Sequence, residues 1–265
     1  MPSFAELNLP AELQHIVGLR NGIVLVTGTT GSGKSSTLAA IIDLINKQLS
    51  VHILTIEDPI EFLHEHQNWI VHQRELHSDT TSVAQALRAA LRQAPKVILV
   101  GEMRDRETIE IALEVAETGH LVMSTLHTID AAKTVERIVG VFPLSAQMVI
   151  RNRMAKSFRY VVSQRLIPRK DGSGRVAAIE ILKSKLRTLE YVSKGEAEGK
   201  TLLDAMRVGG NEGRQHFDGE IDKLIRTGTT DFETGLSYAT NTGNPRLELA
   251  DFTPPPEAEA AELTV

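Results

Sequence analysis

Gly28-Thr29-Thr30-Gly31-Ser32-Gly33-Lys34-Ser35 is the stretch on which the fold turns. Ahead of it, Ile23-Val24-Leu25-Val26 is an all-apolar run of the kind found in strands covered on both faces. Behind it, Leu38, Ile41, Ile42 and Ile45 recur at the i, i+3, i+4, i+7 spacing of a helix with one buried side. Strand, glycine-rich turn and helix start together make an anion site, where free backbone N–H groups and the positive end of the helix dipole converge on phosphate. Its three glycines permit the tight wrap, Lys34 would reach the β- and γ-phosphates, and the Ser35 hydroxyl would ligate Mg²⁺. With Ser36, these residues form the candidate cofactor-binding loop, and the implied ligand is a nucleoside triphosphate.

Outward from this loop, apolar strands are expected at 23–27, 52–56, 97–101 and 121–126, separated by helical stretches at 82–92 and 107–117. In the second of these, Ile109, Ala112, Leu113 and Ala116 make one apolar face, and Gly119 is a natural stop. Such alternation predicts an α/β fold with a mainly parallel sheet covered on both sides. Residues 1–20 read as a lead-in with a short helix at 11–18, and residues 21–183 as the core. A long helix is expected from Pro143 to about Gln164, then a turn at Gly172-Ser173-Gly174 and a strand at 176–182. Glycine-cut helical pieces over 184–251 predict a small helical subdomain, and the proline- and Glu/Ala-rich end, 252–265, a disordered tail.

Composition narrows the function classes. A chain of 265 residues with net charge −5 carries no electrostatic footprint for nucleic acid. It holds no cysteine, which excludes disulfides, thiolate zinc sites and cysteine nucleophiles. No run approaches the ~18 apolar residues of a membrane span, so any membrane role would be exercised from the cytoplasm through a partner.

Further candidates lie where strands end. Thr55-Ile56-Glu57-Asp58-Pro59-Ile60-Glu61 places three carboxylates, Glu57, Asp58 and Glu61, where they could hold Mg²⁺ or its waters. Val97-Ile98-Leu99-Val100-Gly101-Glu102 has the form of a Walker B strand, with Glu102 placed to orient or deprotonate water. Gly101 stands where a metal-binding aspartate is usual, so the metal set expected here is Ser35, Glu57, Asp58, Glu61 and Glu102. His120 and His127 flank the fourth strand about 23 Å apart and cannot share a metal; His127, at the carboxyl end, could approach the γ-phosphate. Arg88, Arg92, Arg104 and Arg106 surround the same strand, and ring-forming P-loop ATPases commonly borrow an arginine from the next subunit.

Gly28–Ser35, Thr55–Glu61, Val100-Gly101-Glu102-Met103-Arg104-Asp105, and Ala116–His120 through Thr125-Leu126-His127-Thr128 together resemble the secretion ATPases of type IV pilus machines, most of all the PilT-type retraction branch. The match runs from about Leu7 to Ile181. The resemblance implies a RecA-like ATPase core using ATP and Mg²⁺. It implies a homo-hexameric ring at the inner face of the cytoplasmic membrane, driving an inner-membrane platform protein with, in some systems, a paralogous pilus ATPase. It further assigns Glu102 as catalytic glutamate, Glu57, Asp58 and Glu61 as an aspartate box, His120 and His127 as a histidine box, and Arg88 and Arg104 as arginines acting across the subunit interface.

Some features depart from that pattern. Family members carry an N-terminal PAS-like domain, whereas Met1 stands just before the core. Gln93-Ala94-Pro95-Lys96 replaces a more acidic stretch, and the retraction branch's Ala-Ile-Arg-Asn-Leu-Ile-Arg segment finds only Lys185-Leu186-Arg187-Thr188-Leu189 near its place. An accessory retraction paralogue, or a poorly hydrolysing ring subunit, is the runner-up expectation. A pilus-assembly or type II secretion ATPase would usually carry a four-cysteine zinc module.

Overall fold

A computed structural model describes residues 1–240. The expected tail at 252–265 and the end of the 184–251 stretch lie outside the described residues. The strands are β1 (Gly22–Thr27), β2 (Ile53–Glu57), β3 (Val71–Glu75), β4 (Val97–Glu102), β5 (Leu121–Leu126), β6 (Phe158–Pro168) and β7 (Arg175–Lys183). They form one seven-stranded sheet in the order β3-β2-β4-β5-β1-β6-β7. Every pairing is parallel except the β6–β7 hairpin. The helices are α1 (Lys34–Gln48), α2 (Val83–Ala90), α3 (Arg106–Glu117), α4 (Ala131–Gly140) and α5 (Leu144–Ser157), then α6 (Leu186–Lys194), α7 (Leu202–Val208), α8 (Phe217–Arg226) and α9 (Phe232–Ser237). This is the RecA-like P-loop architecture.

Alternation along the strands sorts the core into two layers. Ile23, Leu25, Ile98, Val100 and Val122 face a cluster built with α2 to α5, while Val24, Val26, Val97, Leu99 and Met123 face α1 and the 3₁₀ turn Ala11–Gly18. Both faces are therefore covered, which is why these strands read as unbroken apolar runs. Side-chain caps start several helices: Ser82 accepts from the Gln85 N–H, Asp105 from Thr108 and Asp130 from Lys133.

Two expectations are corrected. The helix expected to reach Gln164 ends at Ser157, and Phe158–Pro168 is strand β6 lying parallel to β1. Tyr160-Val161-Val162 is a run that suits a buried strand, and Tyr160, Val161 and Val162 are all buried in the sheet. The sheet edge β3 was not expected at all, because Val71-His72-Gln73-Arg74-Glu75 buries only Val71 and so lacks an apolar signature. Residues after 184 divide between two cores. Val192, Leu202 and Met206 of α6 and α7 join the main core, whereas Phe217, Ile221 and Ile225 of α8 pack on Ile167, Val176 and Ala178 of the hairpin. Among the described residues, no helix is long and apolar enough to cross a membrane.

Candidate active site

All parallel strands direct their carboxyl ends to one edge, and the loops leaving β1, β2, β4 and β5 meet there. The first carries the glycine-rich stretch. Gly28 has φ 147°, and a Cβ there would collide with the Ser32 hydroxyl and the Gln164 carbonyl oxygen. Gly33 then caps α1 in the left-handed conformation, with no side-chain cap and no acidic residue in the first turn. The leading N–H groups of a 15-residue helix are thus left for an outside acceptor. Lys34 is buried, and its Nζ donates to the carbonyl oxygens of Gly28 at 3.1 Å and Thr29 at 2.9 Å. Burial lowers its pKa, opposed by the charges of Glu102 and Glu61. The buried Ser32 hydroxyl has no protein partner. A buried cation and an orphaned hydroxyl in a bare helix cradle fit a phosphate chain.

A cavity of about 910 Å³ opens over this loop. Thr30, Gly31, Gly33, Lys34, Ser35 and Ser36 line it, as do Glu57, Asp58, Glu61, Glu102, Arg104 and His127. Gly28, Thr29 and Ser32 lie behind its wall. Glu57 is held by the Thr55 hydroxyl at 2.6 Å and the Gln73 amide at 3.2 Å. Burial raises its pKa, with the charge of Glu61 adding to the effect and the two hydrogen bonds opposing it.

Glu102 is aimed by a register shift. The β4–β5 pairing slips between Val100 and Glu102, and the Thr125 hydroxyl binds the Gly101 carbonyl at 2.6 Å. A Cβ on Gly101 would stand 3.4 Å from the Glu57 Cα and from the Ile56 carbonyl oxygen, an ordinary van der Waals contact with the β2 backbone. Glu102 Oε2 then meets Arg104 Nε at 2.6 Å and His127 Nε2 at 3.5 Å. Both contacts fall on one oxygen.

Other expected residues lie apart. His120 sits at the opposite end of β5, where its Nδ1 is 3.1 Å from the Val115 carbonyl oxygen; it does not line the cavity, so within one chain the expected cofactor contact is not made. Arg88 is outside the cavity too, paired with Glu107 at 2.7 Å on the surface. Arg104, expected to act on a neighbouring subunit, pairs within its own chain with Glu102. Among the described residues no three His, Asp or Glu side chains converge as a metal cage. The set Ser35, Glu57, Asp58, Glu61 and Glu102 is therefore not a direct all-protein coordination shell. Mg²⁺ seldom uses one, keeping several waters and taking phosphate oxygens as ligands, so the hydroxyl and carboxylates that share this cavity suit it.

Reading the sequence missed Gln164, Gln73 and Arg175. Gln164 is buried behind the loop, Gln73 reaches across from β3, and Arg175 lines the cavity from β7; none stands in a local motif. It also misplaced one segment. Glu220-Ile221-Asp222-Lys223-Leu224-Ile225-Arg226 on α8 matches Ala-Ile-Arg-Asn-Leu-Ile-Arg at Ile221, Leu224, Ile225 and Arg226, better than the stretch at 185–189.

Comparison with known proteins identifies the family. Residues 5–231 match the family described as type II/IV secretion system protein. A twitching motility protein of Neisseria gonorrhoeae is 47% identical over 239 residues, covering 90% of this chain and 63% of the relative. The type IV pilus retraction ATPase PilT of Pseudomonas aeruginosa is 47% identical over 234 residues, covering 88% and 67%. The crystal structure of a pilus retraction motor PilT with bound ADP superposes with a TM-score of 0.84 at 42% identity, covering 92% of this chain and 68% of that one. The chain thus spans roughly two thirds of these relatives' length.

Proposed function

The chain belongs to the type II/IV secretion system protein family, and we propose that it is the ATP-hydrolysing core of a type IV pilus retraction motor. The observation that carries this reading is Glu102, held by His127 and Arg104 in the same cavity as the phosphate loop. Likeness to a PilT structure with bound ADP supports the nucleotide, and the α8 match supports the retraction branch over an accessory role.

On this reading the phosphates lie on the first turn of α1. Lys34 gives up its loop carbonyls for β- and γ-phosphate oxygens, whose charge opposes the lowering of its pKa that burial causes. Mg²⁺, held through Ser35 and by water to Glu57, Asp58 and Glu61, would neutralise charge developing on the phosphates. Glu102 keeps Oε2 engaged with His127 when Arg104 turns to a neighbouring subunit, which leaves Oε1 to accept a proton from the attacking water. The surface pairs of Arg88 and Arg104 are exposed and weak, so either arginine can exchange its partner for a neighbouring subunit's nucleotide at small cost. The active form is then a homo-hexameric ring at the inner face of the cytoplasmic membrane, working on a membrane platform protein.

Glu102→Gln tests the core of this proposal. The variant keeps ATP binding and loses phosphate release by about 10²–10⁴-fold, the usual worth of a general base. Unchanged release would assign the base elsewhere.

A further inference from the structure

The loop from His127 to Asp130, between β5 and α4, is tied down from two directions. Beneath it runs a line of buried hydroxyls: Thr128 meets Thr134 at 2.6 Å, Thr134 reaches Thr27 at 3.4 Å, and Thr27 meets Ser163 at 2.9 Å. Thr27 is the last residue of β1 before the phosphate loop. Beside it, Glu180 of β7 accepts the Ala131 N–H at 2.8 Å, fixing the turn where the loop enters α4. Glu180 is only 3% exposed, and the Phe217 backbone at the start of α8 favours its charged form.

Arg165 of β6 makes the same connection from the other side. One guanidinium nitrogen is 3.5 Å from the Ile129 carbonyl oxygen, and the other donates to the Tyr238 carbonyl just after α9. Its plane lies 3.8 Å over the Phe217 ring. Burying a carboxylate and a guanidinium in the same region is costly, and apolar residues of similar volume would commonly be as stable or more so. Both side chains touch the loop that carries His127, and both touch the α8–α9 unit.

We infer that Glu180 and Arg165 are positioning residues that join the His127 loop to helices α8 and α9, so that the setting of Glu102 and the placement of these helices change together. The inference rests on Glu102 being the hydrolytic carboxylate. Neither residue touches the cavity over the phosphate loop; both act through His127–Ala131.

The test combines turnover with hydrogen exchange on the full chain. Glu180→Leu removes the acceptor and lowers kcat about 10²-fold, the scale of a misplaced catalytic group, while KM stays within about twofold. Glu180→Gln still offers an amide oxygen to the Ala131 N–H and restores most of kcat. A folded Glu180→Leu protein with unchanged kcat, or one whose loss appears in KM and is not relieved by Gln, overturns the inference. If Glu180→Leu does not fold, the wild type decides: ADP should alter amide protection in 127–131 and in 217–226 together. A change confined to one segment, or absent from both, overturns the linkage. Wild-type protein that releases no phosphate would defeat the proposed function, and the exchange experiment would still judge the linkage.

Discussion

Gly101 shows how one position can be read from neighbours that the sequence does not reveal. An aspartate is usual there, and a Cβ would stand 3.4 Å from the β2 backbone, an ordinary contact that leaves room for one. Gly101→Asp should therefore keep a stability within about 1 kcal/mol of wild type, and the added carboxylate beside Glu57 and Glu102 should tighten Mg²⁺ binding. Urea unfolding and a Mg²⁺ titration of nucleotide binding check both parts, and a loss of several kcal/mol would show that β2 excludes a side chain there. Glu102 was legible from its strand, as were Lys34 and Ser35 from the glycine-rich turn before α1, because a motif of adjacent residues carries its own context. The pairing of Arg104 with Glu102 was not legible, since which partner an exposed arginine takes depends on how the chain turns after β4. Glu180 adds a second test at this scale. Burial first, and the charge of Asp130 after it, raise its pKa from 4.5 to about 7, against the Ala131 and Phe217 hydrogen bonds and the Arg165 charge. The native state then binds more protons than the unfolded chain between these values, so stability falls as pH rises from about 4.5 to about 7 and levels off above. The fall is on the order of 3 kcal/mol at most. Chemical denaturation across that range should show a slope that Glu180→Gln removes.

At the level of elements, β1, β2, β4, β5 and β7 were legible, and β3 and β6 were not. β1, β4 and β5 each carry an apolar run of three or four residues because helices cover both their faces, so composition alone marks them. β3 buries little more than Val71, and nothing in its composition separates it from a loop. β6 was hidden differently: Leu144–Ser157 is a true helix, and the polar Ser163-Gln164-Arg165 obscured the strand that follows. Those polar residues have uses that appear only once β6 lies beside β1. Ser163 binds Thr27, Gln164 backs the phosphate loop and Arg165 reaches α8. Thr27→Val keeps the shape of β1 and breaks the hydroxyl line, taking the partner of the buried Ser163 hydroxyl, while Thr134 keeps Thr128 and the Asp130 carbonyl. Such a loss costs about 1–3 kcal/mol, measurable as a lower midpoint in denaturant with the slope unchanged. A neutral effect would show that the line bears no part of the loop's stability.

For the whole molecule, the two cores separate the cavity from the α8–α9 unit. The main core holds the cavity, and the hairpin of β6 and β7 carries α8 and α9 on its outer end. The surface arginines Arg88 and Arg104 are themselves mostly exposed, which suits side chains that serve a neighbouring site. If an arginine from the next subunit completes each site, a single chain is a slow ATPase. Such a residue is worth roughly 10³–10⁵ in rate in other NTPases. The direct measurement is phosphate release per subunit against protein concentration, with molar mass from light scattering on the same samples. The account predicts a rate per subunit that climbs as hexamers form and collapses when Arg88 and Arg104 are replaced. A rate that stays high and flat on dilution to monomer would contradict it.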